Sequence, residues 1–182
     1  MSKRALILID IQNDYFADGK WSLHGMDTAT ANAARVLAAA RAAGDTVVHV
    51  RHEFESMDAP FFAPGSTGAQ IHAEVQPLAG EAVVLKHKVN AFLGTDLKAR
   101  LDEAGIEQIT LVGAMSHMCI DAAARASADF GYATTVIHDA CATRDQEFEG
   151  KQVPAAQVQA AYMAALAFAY ATVTSTEQYL AG

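Results

Sequence analysis

The sequence predicts a single-domain α/β protein, a three-layer α/β/α arrangement around a doubly wound, six-stranded, mainly parallel sheet. Two observations carry this. Short runs rich in β-branched residues alternate with longer stretches of helical period, and each short run is apolar at consecutive positions. A strand covered by helices on both faces needs that second property, and a strand with one wet face does not have it. The runs lie near 4–9, 46–51, 82–87, 108–113, 133–138 and 171–175. Helical periodicity fills 28–43, 95–104, 118–130 and 154–170, with Pro154 suited to a first turn because its missing N–H has no partner there to lose. Gly44 follows the first of these helices, where a left-handed residue turns the chain into the next strand. The stretches 11–27 and 52–81 break the rhythm with Gly, Pro, aromatic and polar residues and read as loops covering a site.

The bulk composition narrows the function classes. At 182 residues and 52% apolar, the chain reads as one domain, 1–182, that can bury a sizeable core. No apolar run reaches the ~18 residues of a membrane span, and Asp10 ends the run from Ala5 to Ile9 too early for a signal peptide, which places the protein in the cytoplasm. A formal charge of −8 without a basic cluster argues against nucleic acid or an anionic membrane as partner and leaves a small molecule. Cys119 and Cys141 are the two cysteines, too few for a four-cysteine zinc site.

Ligands of open parallel sheets bind beyond the carboxyl ends of the strands, so reactive residues there come first. Asp10 closes the first strand, Lys86 the third, and Cys119 follows the fourth at the expected start of a helix. Taken singly, Asp10 reads equally as a loop cap and Lys86 as a surface lysine. Together they pair an acid at an apolar strand edge with a countercharge. A helix start and a nearby ammonium favour a thiolate, so the Cys119 pKa is expected to fall below its reference of about 8.5. Cys141, after a strand ending at His138-Asp139, reads as a buried, inert thiol.

At these residues the sequence resembles the isochorismatase-like cysteine hydrolases, which include nicotinamidases and the carbamoylsarcosine and ureidoacrylate amidohydrolases. The matching pieces are Leu8-Ile9-Asp10-Ile11-Gln12-Asn13-Asp14-Tyr15-Phe16, then Val84-Leu85-Lys86 with Asn90-Ala91-Phe92, then Gly113 through Cys119. The resemblance spans nearly the whole chain and implies a Rossmann-like isochorismatase fold with Asp10, Lys86 and Cys119 as a catalytic triad. It further implies a cis peptide at Ala114–Met115 and an oxyanion hole formed by the Met115 and Cys119 backbone amides. No cofactor is implied, and a homodimer or homotetramer is. The alanine-rich helix at 154–170 has the small residues that close packing against a sheet or another subunit would use.

Isochorismatase itself hydrolyses a vinyl ether and lacks the cysteine, so Cys119 points to acyl transfer at a small carboxamide or ureido compound. Vinyl-ether hydrolysis and a non-enzymatic ligand-binding or redox-sensing role are the alternatives. The Asp-x-His metal pattern of nicotinamidases falls on His52 and Phe54, so no metal is expected. A zinc set drawn from His49, His52, Glu53 or Asp58 would have to defeat strand alternation. Phe16, Trp21, Phe92, His52 and His117 are the expected substrate contacts, with Met115 and Met118 as an adaptable apolar wall and Asn90 in support.

Overall fold

The computed structural model, which describes residues 3–182, contains β1 (Arg4–Ile9), α1 (Met26–Ala43), β2 (Thr46–His52), β3 (Ala82–Lys86) and α2 (Leu97–Glu103). The chain continues through β4 (Gln108–Ala114), α3 (Asp121–Asp129), β5 (Ala133–Ala142), β6 (Gln146–Phe148), β7 (Lys151–Val153), α4 (Ala155–Ala169), β8 (Thr172–Thr174) and α5 (Thr176–Leu180). Six strands pair into one sheet in the order β3-β2-β1-β4-β5-β8, every pair parallel. The consecutive apolar positions are explained by its two covered faces. Ile7, Ile9, Val48, Val50, Ile109 and Leu111 pack beneath α2, α3 and α4, while their neighbours Leu6, Leu8, Val47 and Val112 pack against α1.

Strand order decides where chemistry collects. The chain winds from β1 outward to β3, then returns to β4 on the other side of β1. Connections leave β1 and β4 in opposite directions, which opens a crevice beyond their carboxyl ends. Gly113 makes the close approach there workable: it faces Ile9 at φ 124°, and a Cβ would lie 2.0 Å from the Ile9 carbonyl oxygen.

The structure departs from the sequence expectations at four places. β5 runs to Ala142, so Cys141 lies inside that strand opposite Gly113 rather than beyond its end. The chain enters α3 through a π turn, Ser116–Ile120, whose Ile120 amide reaches back to the Met115 carbonyl at 3.2 Å, so α3 itself starts after Cys119. The antiparallel β6–β7 hairpin went unforeseen because its strands are polar and charged, and its turn uses Glu149 and Gly150 at positive φ instead of the usual Asn-Gly or Asp-Gly. α5 is too short to show a period, although Ser175 and Gln178 form a capping box that marks its start.

Candidate active site

Three buried side chains, two from the ends of β1 and β3 and one from the turn after β4, meet beyond the carboxyl ends of the strands. Asp10 is fully buried and adopts φ 52°, an uncommon conformation for a residue with a side chain, held by its amide donating to the Val50 carbonyl at 2.9 Å. Lys86, also fully buried, places Nζ 2.8 Å from Asp10 Oδ2 and 3.3 Å from Cys119 Sγ. Cys119 is 6% exposed, on the π turn. The ammonium thus touches both the carboxylate and the sulfur, which are themselves within hydrogen-bond reach of each other, and its remaining contacts are His52 Nδ1 at 3.1 Å and the Lys88 carbonyl at 3.2 Å. The Ala114–Met115 peptide is cis, as the resemblance implies.

The electrostatics revise one expectation. Burial, followed by the negative charge of Asp10, pushes the Cys119 thiol up to about 12, and Lys86, which acts the other way, does not reverse this. At neutral pH the resting group is therefore a thiol, not the stored thiolate that the sequence suggests. Burial also raises Asp10 above 3.8, with Lys86 holding that rise in check. For Lys86 the burial penalty is outweighed by Asp10 and Cys119, and its pKa rises above 10.5, which keeps it an ammonium.

The remaining expected residues sort by environment. His52 is buried beside Lys86, with Phe54 edge-on at 4.7 Å. Phe92 belongs to the same apolar cluster as Cys119 and packs edge-on to Phe130, and its amide is held by Asn90 Oδ1 at 3.0 Å. Phe16 stacks on His72 with ring centres 3.8 Å apart, and Trp21 stacks on Phe61 at 4.6 Å; both belong to loops over the α1 side. His117 Nδ1 bonds Thr143 Oγ1 at 2.6 Å, and Ser116 Oγ donates to the Ala142 carbonyl at 3.1 Å, which ties the Cys119 turn to the end of β5. Met115 packs with the α1-side cluster and Met118 is partly exposed.

His49 does not join His52: it points to the α1 side and meets Glu81 Oε2 at 2.9 Å, as strand alternation requires. Glu53 pairs with Arg51 at 2.8 Å. Among the described residues no three His, Cys, Asp or Glu side chains gather as a metal-ligand group.

Three residues with supporting positions were not singled out from the sequence. Gln12 pins the backbone of His52 from both sides: its Oε1 accepts from the His52 amide at 2.7 Å, and its Nε2 donates to the His52 and Ala69 carbonyls, each at 2.8 Å. Asp14 clamps the two covering loops by accepting from the Phe62 amide at 2.6 Å and the Lys20 amide at 3.2 Å. A Cβ on Gly68 would fall 2.1 Å from that carboxylate. Arg144 lays its guanidinium over Trp21, 4.3 Å from the ring centre. Burial and then Arg144 lower the pKa of His117. Gln12 and Asp14 lie inside the opening motif, but nothing local shows which distant amides they serve.

A parallel α/β sheet with a buried cysteine, carboxylate and lysine at its switch point defines the class as a doubly wound α/β protein with a cysteine-centred site. The Isochorismatase domain family matches residues 4–178, and the chain belongs to that family of hydrolases. It is 47% identical over 176 residues to the uncharacterized isochorismatase family protein YddQ of Bacillus subtilis, covering 97% of this chain and 98% of that one. A crystal structure of an isochorismatase hydrolase from Oleispira antarctica superposes with a TM-score of 0.95 at 55% identity, covering 98% of this chain and 96% of the other. Streptothricin hydrolase of Streptomyces noursei is 34% identical over 78% of this chain and 50% of its own length. Matches below that identity carry the names ureidoacrylate amidohydrolase and maleamate amidohydrolase.

Proposed function

We propose that the protein is an amidohydrolase that cleaves a C–N bond of a small carboxamide or ureido compound through a Cys119 thioester. The supporting observation is the position of Lys86 Nζ, 2.8 Å from Asp10 and 3.3 Å from Cys119, with all three groups out of water. A thiol at about 12 is a poor nucleophile at neutral pH unless it loses its proton as it attacks. Asp10, raised by burial, is a stronger base than an ordinary carboxylate and accepts that proton. The transfer leaves the cluster's total charge unchanged, since one anion replaces another beside the same ammonium. Sγ bonds to the carbonyl carbon, and the oxyanion is held by the Met115 and Cys119 amides. Asp10 then protonates the departing amine and takes a proton from water; the hydroxide attacks the thioester carbonyl, the C–S bond breaks to release the acid, and Asp10 returns its proton to the departing sulfur, which restores the thiol and the carboxylate.

Phe16, Trp21, Phe92 and His117 are proposed to line the substrate's path. Arg144, stacked on Trp21, offers a cation to a substrate with an acidic end. No organic cofactor or metal takes part in this scheme. We also place the protein in the cytoplasm, where its two free cysteines stay reduced, and read it as a homo-oligomer. α4 supports the second point: it carries no charged residue, and Phe168 near its end is 92% exposed.

A panel of carboxamides, ureido acids and imide-derived amides, with and without acidic groups, is run with ammonia release as readout beside Cys119→Ala. The proposal expects turnover that disappears in the variant and an acyl adduct on Cys119 by intact mass. Full activity of Cys119→Ala sinks it, and retained hydrolysis of isochorismate by that variant points instead to vinyl-ether chemistry.

A further inference from the structure

Lys86 is an ammonium with no access to water, and each of its three N–H groups needs an acceptor. Cys119 Sγ accepts one at 3.3 Å, while Asp10 Oδ2 is the ion-pair partner at 2.8 Å. The other two acceptors are His52 Nδ1 at 3.1 Å and the Lys88 carbonyl at 3.2 Å. An ammonium has no lone pair, so in this contact Nδ1 accepts and the ring proton sits on Nε2. That nitrogen is buried with no hydrogen-bond partner among the described residues, which leaves Nδ1 as the working atom of the ring. Burial, then the charges of Lys86 and His87, lower the His52 pKa to about 3, so the ring stays neutral and remains an acceptor.

The residue is also held in place. Gln12, itself fully buried, brackets the His52 peptide with bonds of 2.7 and 2.8 Å, and Phe54 and Phe62 close on the ring at 4.7 and 6.2 Å. The ring is 7% exposed and held against the ammonium. It is well placed to hold a cation.

We propose that His52 is a positioning residue for Lys86: its neutral imidazole accepts one N–H and, with the Lys88 carbonyl, fixes the ammonium where it touches both Asp10 and Cys119. This replaces the substrate contact expected from the sequence, and it rests on the Cys119 reading above. Without this acceptor the ammonium turns toward the Lys88 carbonyl and loosens its contacts to Asp10 and Cys119.

The test compares wild type with His52→Leu and His52→Asn, since the Asn Oδ1 stands where Nδ1 stood. On an amide from the panel, His52→Leu is expected to lower kcat by about 10- to 100-fold, the range of a lost hydrogen bond to a charged group, with KM little changed. His52→Asn is expected to regain most of the loss. The alkylation rate of Cys119 by iodoacetamide at about pH 8 gives a readout without substrate: slow in wild type, slower in Leu, restored in Asn. If the alkylation pattern holds while no amide turns over, the role of His52 stands and the amidohydrolase reading fails. Nitrogen NMR of the wild-type imidazole is expected to show the Nε2–H form, untitrated from about pH 5 to pH 9, and decides the matter should His52→Leu not fold. A loss confined to KM, an Asn variant no better than Leu, or a ring that titrates in that range overturns the proposal.

Discussion

Replacing Lys86 with Met removes the charge while keeping a long unbranched side chain, and the consequences can be worked from the site. Both members of the pair are out of water and 2.8 Å apart, so losing one partner strands the other; breaking such a buried pair costs about 3–5 kcal/mol. That is a large share of the ~5–15 kcal/mol that holds a domain folded. The loss should depend on pH, with a sign that follows from Asp10. Its pKa is raised on folding, so the folded protein takes up a proton there from 3.8 up to the raised value, and stability falls as pH climbs through that window. Lys86 limits the top of the window in wild type. Without it the window extends upward, and each added pH unit costs about 1.4 kcal/mol. Lys86 itself, raised above 10.5, contributes fully at every lower pH and adds no slope of its own near neutrality. Urea unfolding followed by the single tryptophan, Trp21, should therefore show a larger difference from wild type near pH 8 than near pH 5. Equal losses at both values, or a loss under about 1 kcal/mol, would refute a buried ion pair at this site.

Two further outcomes follow from other parts of the molecule. Gly113→Ala sets a Cβ 2.0 Å from the Ile9 carbonyl oxygen at φ 124°, so β1 and β4 must separate where Asp10 and Cys119 emerge. Its melting temperature should drop by at least about 2 °C, the lower end of a 1–2 kcal/mol loss in a domain of this size, together with loss of Cys119-dependent turnover, whereas Ala at Gly44 of the α1 end should leave turnover intact. Glu81 is held down to about 2, first by Arg41 and with help from the Leu78 amide and His49. A depressed carboxylate stabilises above its unfolded value of 4.5 and loses that contribution as pH falls through about 2. Glu81→Gln should therefore be less stable than wild type at neutral pH and should converge on it in acid, as read by thermal melts across that range.

Much of the architecture was legible in the chain because its signals are local. Consecutive apolar residues at 4–9 and 108–113 record burial on two faces, and the periodic stretch at 28–43 records one buried helix face. The charged β6–β7 hairpin leaves no apolar pattern to read, and a π turn differs from an ordinary helix start by one residue, which periodicity does not resolve. At the site, the sequence located Asp10, Lys86 and Cys119 at strand ends and misjudged the state of the sulfur, because desolvation depends on what surrounds the thiol and not on its neighbours in the chain.

The sequence by itself determined the parallel α/β class and placed Asp10, Lys86 and Cys119 at or just beyond strand ends, since each of these is carried by residue type and local pattern, while their grouping as a triad came from the family resemblance. Only the tertiary structure decided that Lys86 bridges Asp10 and Cys119, that His52 meets Lys86 while His49 meets Glu81, and that the thiol is raised and not lowered. Those facts depend on distances between residues far apart in the chain and on exclusion of water, and both arise only when the strands are brought into register.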